Sequence, residues 1–244
     1  MSDAPNAQQF LARLDALRSG EELAKIQRYF KTGEGQYGAG DVFVGVRMGQ
    51  VFDLAKTFID MPLGEIEALL GSEVHEARAG AVSIMAKQAS RKATTADQRK
   101  ALFDLYVRRH DRINNWDLVD LGAKFVVGAY LADKPRDLLY RLARSGDLWE
   151  KRTAIIATLH FVSRGDLDDT FALAEILVGD DQDLTHKAVG DLLREAGKKD
   201  RGRLLAFLER HAATMPRTML RYAIEHFAPD ERARFTRPVS EAGG

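Results

Sequence analysis

Both tryptophans of the chain stand beside charged residues at helical spacing. In Asn114-Asn115-Trp116-Asp117-Leu118-Val119-Asp120, Trp116 and Asp120 are four residues apart, so a helix would place them on one face. An aromatic face beside a carboxylate stabilises a cation, through cation–π attraction and direct charge. The same pair could equally be core packing with a capping or bridging acid. Trp149 and Arg152, three apart, also share a face. They could grip a phosphate, or be a buried ring with a surface arginine stacked on it. Other chemistries are poorly served. The chain has no cysteine, which excludes disulfides, thiolate zinc sites and a cysteine nucleophile and suits a reducing cytoplasm. Histidines 75, 110, 160, 186, 211 and 226 are scattered with no His-Glu-x-x-His pair. They read as structural or surface residues, and no metal site is expected. The commonest cue for a serine hydrolase, Gly-x-Ser-x-Gly, is missing. The glycine-rich run 33–40 lacks both a preceding strand and a Gly-Lys-Ser/Thr ending, so it reads as a connector between helices, and no cofactor is expected.

Helices must position these residues. Apolar side chains recur at intervals of three and four along almost the whole chain: Phe10, Leu11, Leu14 and Leu17; Leu23, Ile26 and Phe30; Val51, Leu54, Ala55 and Phe58. Strict alternation is confined to Val42–Val46, too short and too close to glycines for a strand. Turn signals at Met61-Pro62, Asp133-Lys134-Pro135, Ser163-Arg164-Gly165, Gly179-Asp180-Asp181 and Met215-Pro216 separate the helices, and the short connections favour antiparallel neighbours. Five helix starts share a pattern, a charged fourth residue followed by small and apolar ones. They begin at His75, Asp117, Trp149, Leu184 and Thr218. The charged residues are Arg78, Asp120, Arg152, Lys187 and Arg221, separated by 42, 32, 35 and 34 positions. That is the period of paired-helix repeats of the HEAT and armadillo kind. The expected fold is therefore all-α, a solenoid of antiparallel HEAT-like helical repeats in one domain over residues 1–244, ordered from about 5 to 238. Equivalent positions would line its concave face. A stripe of Arg78, Arg152, Lys187 and Arg221 could follow a phosphate backbone. Salt bridges within or between repeats are the equal alternative, and Asp120 interrupts the stripe.

The 36 basic and 36 acidic side chains leave no net charge, so any nucleic-acid binding must come from how charge is distributed. Residues 198–237 hold ten Lys/Arg against five Asp/Glu, which a solvated pair of basic helices would also explain. No run of apolar residues is long enough to span a membrane, and no secretory signal is expected at the start.

Several segments resemble the AlkD-type alkylpurine DNA glycosylase family: Tyr29-Phe30-Lys31-Thr32-Gly33-Glu34-Gly35, Asp41-Val42-Phe43-Val44-Gly45-Val46-Arg47, Ile113–Asp120 and Lys187-Ala188-Val189-Gly190. The likeness runs from about Phe10 to Phe235, and Asn-Asn-Trp-Asp-x-Val-Asp is its most specific part. It implies a basic concave groove that holds double-stranded DNA and the excision of purines alkylated at N3 or N7. It also implies a monomer without cofactor, in a bacterial cytoplasm and drawn to the nucleoid by DNA. Trp116 and Asp120 match the family's catalytic pair, Arg152 its groove arginine, and Tyr29 a tyrosine near the lesion backbone. Taken with the basic stripe and the Trp149–Arg152 face, the expected DNA contacts are Tyr29, Arg78, Trp149, Arg152, Lys187, Asp191 and Arg221. One departure stands out. Where the family usually has a second tryptophan flanking the lesion, this chain has Asp191, which leaves a second reading open: a HEAT-repeat protein that binds damaged or unusually shaped DNA without cutting it.

Overall fold

The structure, a computed structural model, describes residues 4–236. Apart from Ala4, the expected tails lie outside the described residues, as does Arg237 of the basic stretch. The described chain is helical, with one isolated bridge, Val42 to Val74, in place of any strand. It divides into two compact units, the first ending at Tyr130 and the second beginning at Leu131. No helix among the described residues is long and apolar enough to cross a membrane.

The first unit holds α1 (Ala7–Asp15), α2 (Gly20–Tyr29), α3 (Met48–Thr57), α4 (Leu63–Leu70), α5 (His75–Ser90), α6 (Ala96–Arg108) and α7 (Trp116–Gly122), which runs on into a π-helical turn at Ala123–Gly128. Side chains start these helices where the sequence provides them. Asn6 and Gln9 form a capping box on α1, Thr95 and Gln98 another on α6, and Ser19 caps α2. Helix α5 is the centre of the unit, packed by α1, α3, α4, α6 and α7 and buried along most of its length. Gly80 permits this, because a Cβ there would come within 2.3 Å of the Phe10 ring that α1 drives against it. The expected stripe Val51, Leu54, Ala55 and Phe58 is buried as a set. The stripe on α2 is not: none of the residues of α2 is buried, and only Phe30, just past its end, is enclosed.

The second unit holds α8 (Asp137–Ala143), α9 (Leu148–Ala157), α10 (Leu159–Val162), α11 (Asp168–Leu177), α12 (Asp183–Lys199), α13 (Arg201–His211), α14 (Arg217–Ala223) and α15 (Pro229–Thr236). Asp147 caps α9 by accepting from the backbone N–H groups of Trp149 and Glu150, and Asp200 caps α13. Helix α9 packs on α12, and α12 on α14. A Cβ on Gly190 would lie 2.5 Å from Cβ of Tyr222 and 2.6 Å from the Met219 carbonyl, so only glycine lets α14 approach α12 this closely. The five repeated segments each begin within a residue of a helix start, at α5, α7, α9, α12 and α14.

Candidate functional site

The Asn-Asn-Trp-Asp segment starts α7 through its own side chains. Oδ1 of Asn115 accepts from the Trp116 N–H at 2.8 Å, and Oδ1 of Asp117 accepts from the Leu118 N–H at 2.9 Å. The remaining atoms of both residues reach into a buried charge network. Asn115 Nδ2 donates to Asp41 at 2.9 Å, and Asn114 donates to the same carboxylate at 3.4 Å. His75 lies fully buried between two acids, with Nδ1 3.1 Å from Asp41 and Nε2 2.8 Å from Asp117. Both ring nitrogens face carboxylate oxygens, an arrangement that favours the doubly protonated ring. Burial works against that charge, yet Asp117 and Asp41 raise the pKa to about 9. Burial likewise pushes the Asp41 carboxyl up, but hydrogen bonds from His75 and Asn115 and the charges of His75 and Arg78 bring it down to about 2.

Arg78 completes the network. Its Nη2 donates to Asp41 at 2.6 Å, and Nη1 donates to the carbonyls of Ser72 and Glu73. The residue is 2% exposed. Arg78 was expected to contact DNA; the structure turns it inward instead, onto an acid contributed by the segment before α3. The neighbouring Glu76 does related work on backbone. Its carboxylate accepts from the N–H groups of Val44, Gly45 and Val46 at 2.9–3.2 Å and so pins the extended stretch ahead of α3. Gly45 takes φ +81° there and packs against the Ser19 carbonyl, a position closed to other residues.

These anchors hold Trp116 within an aromatic cluster. Phe43 stacks on His75 with centroids 4.5 Å apart, Phe30 stacks on Trp116 at 5.5 Å, and Tyr29 meets Trp116 edge to face at 5.8 Å. Tyr29 is 65% exposed. On the open side lies a cleft of about 600 Å³ lined by Tyr29, Phe30 and Trp116, by Ile26, Met48, Phe52 and Leu121, and by Asp117 and Asp120. Its apolar lining explains why α2 is amphipathic and yet buries none of its own residues. Lys25 and Arg47 stand on the rim, both bonded to Glu22, whose carboxyl they hold down at about 2. Three residues expected at the site, Tyr29, Trp116 and Asp120, are thus brought together in one cleft of the first unit. The residues that position them, Asp41, His75, Asn115 and Asp117, were not expected. The Asn-Asn-Trp-Asp segment contains half of that signal, but nothing in the sequence pairs it with position 41 or 75.

The other expected contacts belong to the second unit. Trp149 is half-buried in the first turn of α9. Arg152 is 7% exposed, and its Nη1 donates to the Leu184 carbonyl at 2.9 Å, tying α9 to the start of α12. Lys187 pairs with Asp183 at 2.7 Å, one turn earlier. Asp191 pairs with Arg194 at 2.9 Å. Arg221 is exposed, with its guanidinium 5.0 Å from the centroid of the Tyr222 ring. The repeated fourth positions therefore do not form a uniform stripe of cations: Arg78 and Lys187 follow the salt-bridge alternative. Among the described residues no group of three His, Asp or Glu side chains could hold a metal ion.

A solved structure described as a "Predicted DNA alkylation repair enzyme from Enterococcus faecalis" is similar in fold. The TM-score is 0.69 at 19% sequence identity, covering 87% of this chain and 97% of that one. Among curated proteins there is no match. The family model described as "DNA alkylation repair enzyme" matches residues 10–227, a span that includes the cleft, its buried anchors and most of both units. The chain belongs to the DNA alkylation repair enzyme family.

Proposed function

We propose that the protein is a monofunctional DNA glycosylase that excises purines made cationic by N3 or N7 alkylation from duplex DNA. The observation that carries this reading is the joint placement of Trp116, Tyr29 and Asp120 in one largely apolar cleft. Alkylation leaves the purine positively charged, and that charge already weakens its glycosidic bond. No general acid is then needed. The bond between C1′ and the purine nitrogen breaks with its electron pair passing to the base, which leaves neutral. Positive charge develops on the sugar instead. A carboxylate held among aromatic faces stabilises that oxocarbenium character, and the low-polarity walls strengthen the effect. Asp120 also accepts a hydrogen bond from the attacking water, whose oxygen bonds to C1′ while its proton is lost to the carboxylate or solvent. Lys25 lines the cleft but is a poor nucleophile. Hydrogen bonds to Glu21 and Glu22 raise its pKa, so it stays an ammonium ion, which favours water as the attacking group. In the second unit the exposed Arg221 is assigned to a backbone phosphate, together with Lys187 once it leaves Asp183, and Trp149 to the sugar–phosphate surface beside them.

The test is release of free 7-methylguanine or 3-methyladenine from methylated duplex DNA. Asp120→Asn keeps size and removes charge. Excision should fall at least tenfold, about 1.4 kcal/mol of barrier, while duplex binding holds or improves. Asp191 supports a second reading. It stands where the related family usually has a tryptophan, and it pairs with Arg194. A protein that binds methylated duplex but releases no base would be a non-catalytic recogniser of damaged DNA.

A further inference from the structure

The surplus of basic residues near the C-terminal end is mostly paired off. Arg201 meets Glu231, Arg203 meets Asp168, Arg210 meets Glu175, Arg234 meets Glu209, and Lys198 meets Glu195. Three arginines depart from this pattern. Among the described residues Arg217, Arg221 and Arg232 form an ion pair with no carboxylate, and all three line one pocket of about 520 Å³ formed by α14 and α15 with Thr218, Tyr222 and Glu225. Arg217 and Arg221 are four apart on α14, so they share a face. Arg232 is fixed from behind, its Nη2 donating to the carbonyls of Glu225 and Phe227. Arg217 is similarly steadied by the Thr236 carbonyl at 3.2 Å. The acids nearby are already engaged: Glu225 pairs with Arg194, and Asp183, which accepts from Thr218, pairs with Lys187.

Three guanidinium groups at one opening, two of them tethered to backbone and none neutralised, repel one another unless an anion joins them. A planar fork matches two oxygens of a tetrahedral oxyanion, and the pocket has room for a sugar attached to it. We propose that this pocket is a phosphate-binding site, with Arg217 and Arg221 gripping the phosphate oxygens and Arg232 fixing the back wall. The ligand chemistry is a sugar phosphate, from a DNA backbone phosphodiester or a free phosphate monoester. The inference deepens the assignment of Arg221 to a phosphate and rests on the duplex binding of that reading, but it requires no cleavage.

The experiment has two arms, run on the full-length protein, Arg217→Gln, Arg221→Gln and the double variant. The first measures anisotropy of a labelled, unmodified duplex across a salt series. Each single substitution should weaken binding several-fold and reduce the slope of log K against log salt by about one unit. The second measures the rise in Tm produced by inorganic phosphate against chloride at equal ionic strength, and the double variant should lose that rise. A change in the first arm identifies the ligand as backbone phosphodiester. A change in the second arm alone identifies it as a phosphate monoester. If the variants match the parent protein in both arms, the pocket is not a phosphate site. Arg221→Lys guards against a folding artefact: it should keep most of the salt slope yet lose affinity, because it retains charge without the fork. Absence of methylpurine release would overturn the glycosylase reading and leave these binding results untouched.

Discussion

His75 is the residue whose role is furthest from what its type and neighbours suggested. It read as a structural histidine, and it is one, but it is also the cation that two buried carboxylates share. Its pKa is raised from the ordinary 6.5 to about 9. The stabilisation it gives is therefore full below pH 6.5 and is lost as pH rises through about 9. Asp41 has the opposite sign, lowered from 3.8 to about 2, so its contribution is present above 3.8 and lost as pH falls through about 2. His75→Gln should cost about 3–5 kcal/mol near pH 6, as expected when one partner of a buried ion pair is removed. Measured by Tm from pH 6 to 10, the gap between variant and parent should narrow as pH rises; a constant gap would mean that the ring is neutral. Asp191 carries a separate expectation. Its pair with Arg194 is partly exposed and so contributes only about 0–1 kcal/mol. Asp191→Trp should therefore fold normally and, by the family resemblance, raise methylpurine release from duplex DNA; a clear decrease would show that the acid has a role of its own.

At the level of elements, the helices and their boundaries were legible in the sequence, and their surroundings were not. Met61-Pro62 and Met215-Pro216 stand at the starts of α4 and α14, and Ser163-Arg164-Gly165 closes α10, because proline and glycine act on backbone regardless of tertiary context. The Leu23, Ile26 and Phe30 stripe was equally visible, but periodicity reports an apolar face without saying whether that face meets core or an open cleft. Arg78 and Glu76 show the same gap from the other side. They stand on a central helix, and partners 37 and 32 residues away decide what they do. Gly190 is a clearer case. The Lys187-Ala188-Val189-Gly190 run marks it, and its reason is the near contact with Tyr222 and Met219. Gly190→Ala should destabilise the protein by about 1–3 kcal/mol in denaturant unfolding, the usual cost of overpacking. Because α14 must move to make room, the same variant should weaken duplex binding through Arg221; unchanged stability would mean that α12 and α14 can separate freely.

Across the whole molecule, the balance of 36 basic and 36 acidic side chains leaves no general attraction for DNA, so affinity must reside in a few local cations. The repeat spacing predicts five helix starts, and α5, α7, α9, α12 and α14 begin within a residue of them. What it could not assign was which fourth positions face a ligand, since a buried arginine and an exposed one are the same letter. The carboxylate of Glu76 has a consequence that would be visible in a map of amide exchange with deuterium. Helical amides should be slow and connector amides fast, yet Val44, Gly45 and Val46 lie in a connector and donate to a side chain that is itself buried. Their protons cannot leave until α5 lets go of that stretch, so they should exchange as slowly as the interior of a helix. In Glu76→Gln, with a neutral acceptor and one oxygen fewer, these three amides should be the first in the chain to speed up.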